Sequence, residues 1–445
     1  MPELISPLPA PLPSPSPSPF SVPGPPPASV SSPTSATAPP GSGAQEPGAW
    51  IALHVFYAAS PRPMLVDCVR PLVARLTEEG LITGHFFINY WLEGPHVRLR
   101  LRPASPAAAP EVRRRAGEAL TAFLANRPAL YEVDSGFLKD FYNALFDIEF
   151  PGEDRGRFMG DDGRMRLRPN NTFSEEPYAP EYAKYGGPAG VELAEWHFRH
   201  SSDLVTDAFR TMNLHLRTVL LGTSAQLMMV MASCFLSEED RLADYLDGYY
   251  EFWHRAFPGT GFIGSKEYER NYTEMAPALG RRFAAVRSAV ATGELGRLPS
   301  FLRGWAEHCL ELRGRIEELA SRGDLLFPVR EGPAREDTGQ ARSEPVDAPP
   351  VEALTHVPAV LPRLLSPYMH MTNNRLHVTI RDEAYLSFVL GQVLRERPHT
   401  GASDSTAAGA ADGLPATDAD RSATEEQDGS AVQAPDGRAM KAADA

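Results

Sequence analysis

The pattern of apolar and polar positions predicts a small β-sheet near position 50, where the apolar content of the chain rises. β-forming residues and period-two alternation mark four strands, at 50–57, 85–91, 96–102 and 129–133. Apolar residues at helical spacing indicate helices at 64–79 and 111–126, between the strands. The resulting order β-α-β-β-α-β is typical of a ferredoxin-like split unit.

The rest of the chain has mostly helical patterns, which follow a loop-rich region at 150–180. Helices are predicted at 190–201, 204–220, 224–235, 238–255, 268–319 and 381–395. The uncharged stretch 218–236 is long enough to cross a membrane, but it contains Gly222, Gln226 and four Ser or Thr residues. We therefore expect a buried core helix there. The fold class is α+β, with a sheet first and a mostly helical portion after it.

Composition then separates the part that folds from the parts that do not. We expect a disordered Pro/Ser-rich tail at 1–47, an acidic flexible loop at 331–352 and a disordered acidic tail at 401–445. These three segments carry −12 of the net charge of −14, so the remaining chain is nearly neutral. One domain, at 48–400 and interrupted by the acidic loop, is left to bury a core.

Other features exclude several classes of protein. The first residues show no basic region followed by an apolar run, so we expect a cytoplasmic protein that is neither secreted nor membrane-bound. Cys68, Cys234 and Cys309 are too widely spaced for a disulfide framework or a CxxC metal pair. We expect neither a metal nor a cofactor. The basic clusters lack interleaved aromatic residues, which argues against direct nucleic-acid binding.

The clearest charge pattern lies in the predicted strand 96–102. Because side chains alternate between the two faces of a strand, four basic or titratable residues share one face, namely His96, Arg98, Arg100 and Arg102. Guanidinium groups bind carboxylates and phosphates at two points, so this stripe predicts an anionic ligand. The alternative is a solvated sheet face with scattered surface ion pairs.

Two further segments could contribute chemistry. Glu181 and Lys184 are one helical turn apart, and the glycines at 186–187 end that turn; the alternative is a capping loop with a surface ion pair. His370 lies between two methionines, with Asn374 and Arg375 nearby as hydrogen-bond donors. A histidine in that setting is either a proton carrier or a packed core residue.

These segments together resemble the thiopeptide-type bacteriocin biosynthesis domain. This domain is the small C-terminal elimination domain of class I lantibiotic dehydratases, and it also occurs as a free-standing protein. The resemblance is carried by FFINYW at 86–91 with GPHVRLRL at 94–101, by the run from Tyr178 to Gly187, and by Met369-His370-Met371 with the following Asn-Arg. It extends over 48–400.

The resemblance implies a lyase step in the biosynthesis of a ribosomally made peptide natural product. A separate tRNA-dependent glutamylating dehydratase subunit would esterify Ser or Thr of a precursor peptide, made of leader and core. This chain would then remove glutamate to leave dehydroalanine or dehydrobutyrine. The precursor and the glutamylating subunit are the expected partners, and a homodimer is left open.

The resemblance also assigns roles residue by residue. The expected catalytic residues are Arg98, Arg100, Glu181, Lys184 and His370. The expected substrate-binding residues are His96, Arg102, Tyr185, Asn374 and Arg375. Lys184 stands where the family usually has arginine, which keeps the charge but loses the planar fork, and Asn89 stands where another arginine is usual.

Two other functions remain open at this stage. A thiopeptide pyridine synthase resembles the same domain, but it joins two dehydroalanines in a formal cycloaddition and has no glutamyl carboxylate to bind. A non-catalytic leader-peptide binding subunit is the third hypothesis, since an exposed edge strand could add an extended leader.

Overall fold

The computed structural model describes residues 48–133, 139–150, 155–256, 266–329 and 351–396. All of them belong to one compact unit. The two tails predicted to be disordered lie outside the described residues, and so does the predicted acidic loop except for its last two residues. The disorder expected there therefore stays a prediction.

Within the described residues, four strands form one antiparallel sheet in the order β2-β3-β1-β4. The strands are β1 (Ile51–Phe56), β2 (Ile82–Tyr90), β3 (His96–Pro103) and β4 (Thr172–Glu176). Arg98 of β3 is paired with His54 of β1 on one side and with Ile88 of β2 on the other. The first three predicted strands are confirmed.

The predicted fourth strand at 129–133 is wrong. This segment has no strand geometry, and Leu130 and Tyr131 are 92% and 65% exposed. The side chains of Asn170 and Asn171 hydrogen bond to the backbone of Ala129, which holds the segment beside the sheet. The place next to β1 is taken by β4, which arises from the region predicted to be loop-rich.

Helices cover the apolar face of the sheet. The chain runs from α1 (Arg62–Met64) through a π-helical turn (Leu65–Val69) into α2 (Arg70–Glu78), and α3 (Ala109–Asn126) follows β3. In α3 every fourth residue is fully or almost fully buried, namely Val112, Ala116, Leu120 and Leu124. These side chains share a core with Val97, Leu99 and Leu101, so the apolar half of β3 faces the helices.

A second, smaller core lies beside the turn between β2 and β3. It is built by α4 (Lys139–Glu149), a 3₁₀ turn (Arg155–Arg157) and a bridge between Met159 and Met165. Its buried members are Leu92, Tyr142, Phe146, Met159 and Met165. The sequence pattern did not predict α4.

The remaining chain is helical. The helices are α5 (Tyr182–Tyr185), α6 (Gly187–Thr211), α7 (Arg217–Phe235), α8 (Glu239–Ala256), α9 (Lys266–Thr292), α10 (Ser300–Arg322), α11 (Val357–Arg375) and α12 (Ile380–Arg395). A two-stranded ribbon pairs β5 (Leu326–Pro328) with β6 (Val351–Ala353). The predicted long helix 268–319 is two helices, and α11 was not predicted because Pro362 and Pro367 interrupt its pattern.

Helix α7 is the apolar segment that is long enough to cross a membrane. In the structure, 67% of its most apolar window is buried inside the protein. It packs against α9, α10, α11 and α12. Its placement is that of a core helix, as the polar residues within it predicted.

Candidate functional site

The basic face of β3 is covered rather than solvated. His96 and Arg100 are each 5% exposed, and Arg98 and Arg102 are half-buried. Phe56 of β1 lies 4.5 Å from the His96 ring, measured between centroids. The sheet therefore buries guanidinium groups among aromatic rings, and the interpretation of this face as an ordinary solvated surface is wrong.

Arg98 is held by two neighbours on its own face of the sheet. Its guanidinium carbon lies 3.4 Å from the centre of the Tyr90 ring, a close cation–π contact. Its Nε donates a hydrogen bond to His96 Nε2 at 3.3 Å. His96 Nδ1 in turn bonds to the carbonyl of Gly94, which can only accept, so Nδ1 carries the proton. These hydrogen bonds orient the Arg98 guanidinium but do not neutralise its charge.

Arg100 is buried with most of its hydrogen-bonding capacity unused. Its Nη2 donates to His54 Nε2 at 3.3 Å, while Nε and Nη1 are buried without a hydrogen-bond partner among the described residues. Burial, followed by repulsion from Arg98, lowers the pKa of Arg100 to about 9. A buried guanidinium with idle N–H groups needs an anion to offset its desolvation.

The two histidines on this face do not add charge. Burial and the nearby arginines lower the pKa of His54 to about 2 and that of His96 to about 3. Both rings are therefore neutral at physiological pH. Within the described residues, neither Arg98 nor Arg100 forms an ion pair with a carboxylate, so the positive charge of these two residues is unbalanced, whereas Arg102 has Glu195 nearby.

His370 is held in a definite tautomer by a carboxylate that the sequence did not reveal. Its Nδ1 lies 2.9 Å from Glu383 Oε2, and Tyr249 donates its hydroxyl hydrogen to Glu383 Oε1 at 2.7 Å. Because the carboxylate accepts both bonds, Nδ1 carries the proton and Nε2 is left as the base. The Glu383 side chain is 1% exposed, and a buried acid within the apolar pattern of the last helix was the available signal.

The other predicted pair forms on the short helix α5. Lys184 Nζ lies 3.3 Å and 3.4 Å from the two carboxylate oxygens of Glu181. Glu181 interacts electrostatically with Tyr90, which links this pair to the basic face of β3. The left-handed Gly186, at φ 88°, ends α5 and starts α6 close against the Phe327 ring.

Glu149 is a second carboxylate near these residues that the sequence did not reveal. Its carboxylate accepts hydrogen bonds from Tyr90 at 2.9 Å and from the Trp91 indole at 3.0 Å. It also interacts electrostatically with Lys184 and His370. Helix α11 packs against both β2 and α5, and β2 pairs with β3, so the fold brings the β3 stripe, the α5 pair and the α11 histidine into one region. Sequence reasoning missed Glu149 because it ends a helix that the pattern did not predict.

Three of the predicted substrate-binding residues are engaged within the fold. Asn374 receives a hydrogen bond from the Asn89 backbone N–H at 2.9 Å and donates to its carbonyl at 2.8 Å, which ties α11 to β2. Arg375 is fully buried and donates to Ser202 Oγ and to the carbonyl of Met371. Tyr185 is 3% exposed, packed between aromatic rings. Their role in substrate binding stays a prediction.

Arg102 lies at the far end of the stripe. Its guanidinium carbon is 5.7 Å from the Trp50 ring centre, and its Nη1 is 3.9 Å from Glu195 Oε2. Across the described parts of the chain, no group of three or more His, Cys, Asp or Glu side chains is arranged to hold a metal ion.

The chain belongs to the lantibiotic biosynthesis dehydratase C-terminal family, whose sequence model matches residues 50–394. This match confirms the resemblance drawn from the three motifs and relates the chain to enzymes that mature ribosomally made peptide natural products. No curated protein is significantly similar in sequence.

Two solved structures, TbtD and TsrL, share the fold of this chain, and a third, MibB, is a more distant match. The pyridine synthase TbtD from thiomuracin biosynthesis is 19% identical, with a TM-score of 0.59, over 78% of this chain and 98% of its own. TsrL is 17% identical, with a TM-score of 0.53, over 78% of this chain and 95% of the TsrL chain. The tRNA-dependent lantibiotic dehydratase MibB from Microbispora sp. 107891 is 18% identical, with a TM-score of 0.39, over 80% of this chain and 28% of the MibB chain.

Proposed function

We propose that this protein is an elimination enzyme, which removes glutamate from glutamylated Ser or Thr of a precursor peptide. The observation that carries the proposal is the state of Arg100. Its guanidinium is buried, and among the described residues two of its nitrogen atoms have no hydrogen-bond partner and no carboxylate is paired with it. Such a group is suited to bind a carboxylate or the developing charge on a carbonyl oxygen. A glutamyl ester brings both to the site.

The reaction assigns a task to each part of the site. His370 Nε2 takes the proton from Cα of the esterified residue, and the released electron pair forms the Cα=Cβ bond as the Cβ–O bond breaks. Arg98 and Arg100 stabilise the negative charge that develops on the peptide carbonyl or the departing carboxylate. Glu383 holds the imidazole and stabilises the imidazolium that forms. Lys184 balances Glu181 and adds a cation at the same site.

The expected partners are the precursor peptide and a separate glutamylating dehydratase, and the expected location is cytoplasmic. For the sheet, we infer a ferredoxin-like unit whose last strand is β4. Ser202 and Asn374 already bond to the backbone of the β2 edge, which argues against addition of a leader peptide there. This coverage weakens a purely leader-binding role at β2.

A pyridine synthase is the second candidate, because the fold likeness to TbtD covers nearly all of that chain. Its substrate has no glutamyl carboxylate, so the uncompensated charge of Arg98 and Arg100 would have no evident ligand. The geometry therefore favours elimination.

The test uses purified protein, the glutamylating partner and the precursor peptide, followed by mass spectrometry. Arg100→Ala and His370→Ala should let glutamylated precursor accumulate, while Arg113→Ala should behave as wild type. Arg113 is a suitable control because it is an exposed arginine whose Nε is 3.0 Å from Glu175. Wild-type rates of dehydroamino acid formation in both site variants would refute the proposal. Consumption of a fully dehydrated peptide with loss of its leader would identify a pyridine synthase.

A further inference from the structure

Glu149 differs from the other carboxylates of the site in the partners that it has. Glu181 is paired with the ammonium of Lys184, and Glu383 with the imidazole of His370. Glu149 accepts hydrogen bonds only from neutral donors, the Tyr90 hydroxyl and the Trp91 indole, and within the described chain it forms no ion pair. It is half-buried at the end of α4.

Burial has a cost at this position. Desolvation raises the pKa of Glu149, while its two hydrogen bonds and the fields of Lys184 and His370 oppose that shift. Each carboxylate oxygen has a second lone pair that can accept another donor. A cation in contact with the carboxylate would offset the desolvation.

The position of Glu149 relative to Arg98 suggests what that cation is. Tyr90 separates the two groups, since its hydroxyl donates to Glu149 and its ring lies 3.4 Å from the guanidinium carbon of Arg98. Tyr90 therefore has a carboxylate, which could bind a cation, at its hydroxyl group and a guanidinium, which could bind an anion, over its ring. A glutamyl ester made from an aminoacyl-tRNA is joined through its α-carboxyl group, so it keeps a free α-ammonium and a side-chain carboxylate.

We propose that Glu149 binds the α-ammonium of the glutamyl group while the arginines of β3 bind its carboxylate. Glu149 is then a specificity residue for an ester with a free amine. This inference rests on the proposed elimination function. It predicts that the enzyme distinguishes a free aminoacyl ester from an acylated one, which a site for the carboxylate alone would not do.

The experiment compares two synthetic precursor segments, one with a single O-(α-glutamyl)serine and one with the N-acetylglutamyl analogue. Dehydroalanine formation is followed by mass spectrometry with the full chain. For wild type, acetylation should raise KM about 10- to 100-fold with little change in kcat, the loss expected for one charge-assisted contact. Glu149→Gln should raise KM for the free ester by a similar factor, so the variant should have similar KM values for both esters.

A matched control is Asp140→Asn, which neutralises an exposed carboxylate in the first turn of the same helix and should leave the discrimination intact. Tyr90→Phe keeps the ring beside Arg98 and should retain part of the discrimination between the two esters. Equal KM values of wild type for both esters would overturn the inference, even if Glu149→Gln fails to fold. Discrimination lost in Glu181→Gln instead would also overturn it. If wild type converts neither ester, the elimination function fails, and this inference with it.

Discussion

Arg100→Met should make the protein more stable and inactive. Arg100 is 5% exposed, and its pKa is lowered to about 9 from an ordinary value near 12.5. That difference corresponds to about 5 kcal/mol by which burial and repulsion from Arg98 together disfavour the charged form at neutral pH, because one pKa unit is worth about 1.4 kcal/mol. Methionine matches the aliphatic part of the arginine side chain and carries no charge. Since replacing a buried charged group by an apolar one typically gains part of that cost, we expect a gain of about 1–3 kcal/mol in the free energy of unfolding.

Arg375→Met provides the matched comparison. Burial lowers the pKa of Arg375 to about 9 as well, but its Nε donates to Ser202 Oγ at 3.1 Å and its Nη1 to the carbonyl of Met371 at 2.7 Å. Removing these bonds takes one donor from each of two buried acceptors, and this loss offsets the relief of desolvation, so this variant should gain less stability than Arg100→Met or none. The same chemical substitution at two buried arginines should therefore change stability to different extents.

Urea unfolding followed by circular dichroism measures both differences, and dehydroamino acid formation measures activity. The Arg100 variant should unfold at higher urea concentration and accumulate glutamylated precursor. If Arg100→Met lowers the free energy of unfolding by 1 kcal/mol or more, then contacts within the fold already compensate the guanidinium. Arg100 would then not need an anionic ligand to offset its burial.

Three further predictions follow from the contacts of the site and core. Glu383→Gln should lower kcat about 100-fold, because the amide no longer fixes the tautomer of His370, and single-turnover kinetics would show this loss at unchanged substrate affinity. Lys184→Arg should keep at least wild-type activity and Lys184→Ala should lose it, as measured by glutamate release. Burial lowers the pKa of His197 well below its usual value and that of His308 to about 2, so both are neutral in the folded state. In the unfolded chain the rings take up a proton below about pH 6.5. The free energy of unfolding should therefore be highest above that pH and should fall below it by about 1.4 kcal/mol per pH unit for each ring. In urea titrations at about pH 5–7, His308→Gln should remove the contribution of one ring to this slope.

Local patterns determined the elements of this protein and the face on which the key arginines lie. Alternation in β3 places Arg98 and Arg100 opposite Val97 and Leu99, because successive side chains of a strand point to opposite faces. The apolar spacing in α3 was equally clear. The pattern failed where local signals conflict with the fold, as in α11, whose two prolines hid a helix, and in the fourth strand, which β4 supplies from a later segment.

Only the tertiary structure decided how these pieces work together. Whether Arg100 faces solvent or a closed aromatic surface depends on residues far away in the chain, and so does its lack of a carboxylate partner. Glu149 and Glu383 enter the site through contacts across 59 and 13 positions, to Tyr90 and His370. Sequence periodicity specifies which way a side chain points from its own backbone, whereas desolvation and charge pairing depend on the neighbours that long-range packing brings to it.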